Sequence, residues 1–267
     1  MRICVAGLGP VLLVVGGLAL AGCHPENDVA KQLIRACEAA DATACNALGQ
    51  RLLKGEYVLR DEGRAAGVFD RACQGGIADG CASLGVMYQD GTGVHRDSAR
   101  AVGLHGKACE GRAMEGCARL GLLYRQGAGV PRDLARAAAL FQQACDGGHL
   151  AGCSQLGDLY TAGEGIGQDF GRAVVLFRQA CDGKVLHGCV GLGRLHADGT
   201  GVPLDLPRAA ELFKQACDGR EAAGCFLLAG LHASGRGVTR DLDRATSLNR
   251  RACNLGYTDA CPKPRSS

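Results

Sequence analysis

Residues 117–152, CARLGLLYRQGAGVPRDLARAAALFQQACDGGHLAG, decide the fold, because the same pattern recurs without insertion along most of the chain. Six such blocks of 36 residues begin at Cys45, Cys81, Cys117, Cys153, Cys189 and Cys225. In the block quoted, Leu120, Leu123 and Tyr124 fall at helical spacing, and Gly127 ends the run in the left-handed conformation that glycine adopts at low cost. Asp133, with Asp61, Asp97, Asp169, Asp205 and Asp241 in the other blocks, stands where its side chain can cap a second helix. That second helix carries Arg136-Ala137, Leu140 and Ala144-Cys145, with small residues along its inner face. The first helix has a glycine at its middle in five blocks (Gly49, Gly85, Gly121, Gly157, Gly193) and Ala229 in the sixth. A mid-helix glycine costs ~1 kcal/mol relative to alanine, so its recurrence predicts a close helix crossing. Each block is therefore a hairpin of helix A and helix B, too small to bury its own apolar face and stabilised by its neighbours. The expected architecture is an all-α, right-handed solenoid of six hairpins over residues 37–261, preceded by a short leading helix from about Asp28 to Cys37.

Cysteine spacing obeys the same period. Cys37/Cys45, Cys73/Cys81, Cys109/Cys117, Cys145/Cys153, Cys181/Cys189, Cys217/Cys225 and Cys253/Cys261 are each eight apart. Each pair spans the turn from one helix B to the next helix A. Zinc binding and redox catalysis are the alternatives to a disulfide here, but C-x7-C is not a zinc spacing and the Cys-x-x-Cys that lowers a thiol pKa is absent. Structural disulfides are expected at all seven pairs.

The N-terminus supports that expectation by pointing to an oxidising compartment. Arg2 precedes an apolar run from Ile3 to Leu20 that closes in Leu20-Ala21-Gly22-Cys23. This resembles a bacterial lipoprotein signal, in which residues 1–22 are removed and the thiol of Cys23 is acylated. Residues 23–36 then form the lipidated N-terminus and leading helix, and residues 262–267 a polar tail. Of 16 cysteines, Cys4 leaves with the signal and Cys23 takes the lipid; the rest fall into the seven pairs. His24 stands where an aspartate would retain such a protein in the inner membrane, so the expected location is the outer membrane of the cell envelope, facing the periplasm or the surface.

Composition narrows the partners. Of 30 Lys+Arg and 27 Asp+Glu, only Arg2 lies in the first 22 residues, and no concentrated basic face stands out for counterion release on nucleic acid. Aromatic residues make up 4% and tryptophan is absent, which removes stacking platforms for bases. Nucleic acid is not an expected partner. Membrane contact is expected through the lipid alone, and the chain is expected to be a monomer.

The signature A-x-x-L-G-x-L-Y-x-x-G-x-G-V, D-x-x-R-A-x-x-L-F-x-x-A-C resembles the Sel1-like repeats, relatives of the tetratricopeptide repeat. The cysteines eight apart are similar to those of the cysteine-rich subgroup, which includes Helicobacter cysteine-rich proteins and a mitochondrial respiratory-assembly factor. The resemblance implies a scaffold or adaptor that binds a protein or peptide through the concave face lined by helix A. Two, five and nine residues after the leading cysteine, the varying positions there include Arg119, Leu122 and Gln126, then Gln155 and Asp158, then Arg194 and Asp198. These are the candidate partner-binding residues. The same resemblance carries an alternative, binding of β-lactams or peptidoglycan fragments with β-lactamase-like hydrolysis. No Ser-x-x-Lys and no zinc-hydrolase histidine cluster occurs, and a serine without a nearby base is inert. The sequence nominates no catalytic residue, no metal ligand set and no cofactor. His196 and His232, which replace Tyr88, Tyr124 and Tyr160 of earlier blocks, lack a third ligand. The Gly-x-Gly loops follow helices and have no phosphate-binding context.

Overall fold

The computed structural model describes residues 28–261. The signal segment, Cys23 and the tail lie outside those residues. Helix α1 (Asp28–Glu38) leads into six hairpins: α2 (Ala42–Lys54) with α3 (Glu62–Gln74), α4 (Ala78–Asp90) with α5 (Ser98–Glu110), and α6 (Met114–Gln126) with α7 (Leu134–Asp146). They continue as α8 (Leu150–Ala162) with α9 (Phe170–Asp182), α10 (Leu186–Asp198) with α11 (Leu206–Asp218), and α12 (Ala222–Ser234) with α13 (Leu242–Asn254). A 3-10 turn at Thr258–Ala260 follows, and no strand occurs among the described residues. Each helix packs against the next in the chain, so the molecule is an all-α solenoid.

Local chemistry sets the helix ends. Every helix A of a hairpin stops at a glycine with φ between +68° and +77°, whose N–H returns to the carbonyl four residues back. Every helix B starts at the recurring aspartate, whose Oδ1 accepts from the N–H three residues on at 2.8–3.0 Å. The first inter-helix loop has Tyr57 where the later loops have a second glycine. Tyr57 still takes the left-handed backbone, φ +63°, and its ring lies 5.2 Å beneath the Arg51 guanidinium. That cation–π contact offsets part of the conformational cost.

The core lies between the A and B layers. Phe69, Phe141, Phe177 and Phe213 project from the B helices α3, α7, α9 and α11 and are at most 2% exposed. Each ring lies on the mid-helix glycine of its hairpin partner: a Cβ added at Gly121 would stand 2.7 Å from Phe141, and one at Gly49 2.6 Å from Phe69. In the sixth hairpin Asn249 replaces the phenylalanine, and there Ala229 replaces the glycine. Glycine is thus present where a ring crosses it, the close approach expected from the sequence. His105 holds the ring position in the second hairpin and is fully buried.

All seven local disulfides form, with Cα–Cα separations of 4.5–4.8 Å. Each ties the last turn of one helix B, or of α1, to the start of the next element. The first six bridges are buried, whereas Cys253 and Cys261 at the C-terminal end are half-buried.

Candidate functional site

The A helices share one face, and the first three hairpins build a groove of about 380 Å³ upon it. Asn46, Gln50 and Leu53 come from α2; Asp79, Ser83, Val86 and Met87 from α4; Glu115 and Arg119 from α6. These positions come together because the 36-residue period brings the same helical face of successive A helices side by side. Met87 is buried and forms part of the floor, while polar groups form the walls. Gln50 Nε2 donates to Ser83 Oγ at 3.1 Å, linking α2 to α4. Arg119 donates through Nε and Nη2 to Glu115 Oε1 at 3.2 and 3.1 Å, one turn back on α6. Asn46 Oδ1 is buried without a hydrogen-bond partner. Asp79 is exposed and forms no ion pair among the described residues. The arrangement can present hydrogen bonds and one open carboxylate to an extended chain, over a thioether and aliphatic floor.

Of the seven predicted partner-binding residues, only Arg119 lines this groove. Leu122 is half-buried against the cluster around Phe141 and Leu156, so it serves the core. Asp158 accepts from His187 Nε2 at 2.8 Å and lies 3.9 Å from Arg125 Nη1, forming a charge ladder across α6, α8 and α10. Gln155 Oε1 is buried without a partner, while Gln126, Arg194 and Asp198 are exposed. These residues lie along the same A-helix face but are not gathered into one cavity with Arg119. Asn46, Gln50, Asp79, Ser83 and Val86 were not nominated from the sequence. Gln50 and Val86 occupy the column five residues after the leading cysteine, the same column as Leu122, Asp158 and Arg194. Extending that column to the first two blocks would have found them.

Two histidines respond to this surface in opposite ways. The hydrogen bond from His187 to Asp158 raises the His187 pKa above its ordinary value, against the opposing effect of burial. Its stabilisation is complete below the unfolded value and is lost as pH rises through the folded one. Burial, reinforced by the charge of Arg119, lowers His105 to about 4, with Glu115 acting the other way. Among the described residues no three His, Cys, Asp or Glu side chains gather as a metal site. None of the described helices is long and apolar enough to cross a membrane.

The Sel1 repeat family model matches residues 42–77, 78–111, 115–149, 150–185, 186–220 and 222–257. The chain therefore belongs to the Sel1 repeat family and has its scaffold fold. A solved protective antigen of uropathogenic Escherichia coli strains, described as displaying an SLR fold, is 28% identical over 86% of this chain, with a TM-score of 0.74. The chain spans 50% of that protein's length. A Sel1 repeat protein from Oxalobacter formigenes superimposes with a TM-score of 0.76 at 20% identity, over 90% of this chain and 99% of that one. Cysteine-rich protein B of Helicobacter pylori is 28% identical over 49% of this chain and 93% of its own length, with a TM-score of 0.40. No curated protein matches.

Proposed function

We propose that this chain is an exported, lipid-anchored adaptor that holds a protein or peptide in the groove across α2, α4 and α6. The observation that carries the reading is that groove: three consecutive repeats converge on it, and it keeps a buried acceptor at Asn46 and an open carboxylate at Asp79. Family membership supports it, since Sel1 repeat proteins generally mediate protein–protein interaction. The exposed residues Arg194, Asp198 and Gln126 extend the same face beyond the groove and lengthen the available surface.

Native cross-linking in the source cells, followed by identification of the captured protein, tests the binding. Ser83→Arg together with Val86→Arg fills the groove while both positions remain half-exposed. Capture is expected to fall at least tenfold in this variant with its melting temperature within a few degrees of the parent. Unchanged capture would move the interface off the groove.

Envelope anchoring rests on the lipobox ending at Cys23 and on seven disulfides that need an oxidising compartment to persist. The location proposed is the outer membrane. Cys23→Ser is expected to abolish fatty-acid labelling and leave the ectodomain's helical circular dichroism unchanged, because every other mature cysteine is already paired. Labelling that persists in the mutant would remove the anchor from the proposal.

A further inference from the structure

The repeats are internal controls for one another, and the cleft where α9 meets α10 and α11 departs from the pattern set by the second to fourth hairpins. In the second to fourth hairpins an arginine of helix B donates to the hydroxyl of the tyrosine on helix A: Arg100 to Tyr88 at 3.1 Å, Arg136 to Tyr124 at 3.2 Å, Arg172 to Tyr160 at 2.9 Å. Each guanidinium also covers the tyrosine ring, 5.4–5.5 Å from its centre. A second local pair recurs near the end of helix B: Gln74 with Asp70 at 2.6 Å, Gln142 with Asp146 at 2.7 Å, Lys214 with Asp218 at 2.8 Å. In the last hairpin His232 replaces tyrosine, and its Nδ1 lies 3.2 Å from the Thr239 carbonyl.

At the junction of the fourth and fifth hairpins both pairings lapse among the described residues, the Arg–Tyr pair in the fifth and the helix-end pair in the fourth. His196 replaces the tyrosine, and its Nδ1 is buried without a hydrogen-bond partner. Arg208, deprived of a phenol, bonds Glu211 at 2.8 Å instead. On α9, the B helix of the fourth hairpin, Arg178 and Asp182 stand at the register of the joined Lys214 and Asp218 of α11 but are not joined to each other. His196, Arg208, Arg178 and Asp182 line one cavity of about 370 Å³ between α9, α10 and α11, together with Asp205 and Gln215. Asp205 is already committed to capping α11 through the N–H of Arg208 at 2.9 Å.

A buried polar atom left unpaired costs about 1–3 kcal/mol, so a ligand that pairs it recovers that amount. The open groups are one guanidinium, one carboxylate and one imidazole nitrogen. A lone anion would satisfy Arg178 and leave Asp182 facing it, and a doubly charged phosphate would meet Asp182 and Asp205 at once. A planar monoanionic carboxylate matches the guanidinium fork. We propose that this cavity binds a small zwitterion of the α-amino-acid type, its carboxylate on Arg178, its ammonium on Asp182, and a polar atom on His196 Nδ1. The cavity lies near the lower end of the usual ligand-pocket range of about 300–1,000 Å³, which suits so compact a molecule.

Isothermal titration of the full chain in detergent against a panel of L- and D-α-amino acids, acetate, methylamine and inorganic phosphate tests this. Saturable binding is expected for at least one amino acid, with acetate and methylamine at least tenfold weaker. Arg178→Gln, an exposed substitution, is expected to weaken binding at least tenfold. His196→Tyr, which restores the residue of the second to fourth hairpins, is expected to abolish it while the melting temperature holds. No saturable heat with any amino acid, equal affinity for acetate or phosphate, or undiminished binding by Arg178→Gln would each overturn the assignment.

Discussion

Reducing all seven disulfides is expected to lower the melting temperature by roughly 20 °C or more and to broaden the transition. A bridge closing a loop of ~9 residues removes about 2–3 kcal/mol of chain entropy from the unfolded state. Halving that figure, because adjacent bridges and nascent helix already restrict the unfolded chain, still leaves a total of about 9 kcal/mol across seven bridges. That rivals the whole stability of an ordinary domain, about 5–15 kcal/mol. A repeat array is held together by nearest-neighbour interfaces; five bridges each cross one of them, and the other two tie α1 and the terminal 3-10 turn to the ends of the array. Removing one bridge by Cys145→Ala with Cys153→Ala is therefore expected to cost about 1–3 kcal/mol, felt first at the junction of α7 and α8. Circular-dichroism melts with and without a reductant, alongside thiol titration, give the answer. A fully reduced chain that melts within a few degrees of the oxidised one would make the bridges dispensable.

His105→Phe is expected to raise stability at neutral pH and to remove a sensitivity to acid. His105 occupies the position of Phe69, Phe141, Phe177 and Phe213, is 0% exposed, and has no partner at Nδ1 or Nε2. Phenylalanine fills the same place against glycine in four hairpins, so the ring is tolerated there and the unpaired polar atoms disappear. A gain of about 1–3 kcal/mol follows at pH 7. The folded-state pKa of His105 is lowered to about 4 from an ordinary value of 6.5. Between those values the unfolded chain binds a proton that the folded chain refuses. Stability therefore falls as pH drops from 6.5 toward 4, by up to roughly 3 kcal/mol, and levels off below. The pH difference between parent and variant isolates this histidine from His187, whose effect lies above pH 6.5 and has the opposite direction. A parent chain equally stable at pH 7 and pH 4.5, relative to the variant, would contradict the burial argument.

Glycines and aspartates at fixed offsets made the helix ends legible, because each is chosen by a local backbone requirement. Gly127 needs a left-handed φ and Asp133 needs only the N–H of Arg136, both within the same hairpin. The cysteine pairing was legible for a related reason: eight residues cannot carry the chain far from the helix it has just left. The candidate site was less so. Variation down a column marks positions free to change, but it does not separate Leu122, drawn into the core, from Gln126, left in solvent. Nor does it reveal that Asp158 is engaged by His187 from the following A helix.

The sequence by itself determined the hairpin, the period, the caps and the disulfide pairs, since all of these arise from interactions spanning at most a few turns of chain. Tertiary structure alone decided which side chains of different repeats meet. It selected the groove over α2, α4 and α6, spent Leu122 and Asp158 on internal contacts, and left His196, Arg178 and Asp182 open in one cavity. Those outcomes depend on distances between residues about one repeat apart, which are set by how closely neighbouring hairpins stack, and stacking is a property of packed volumes that periodicity alone does not specify.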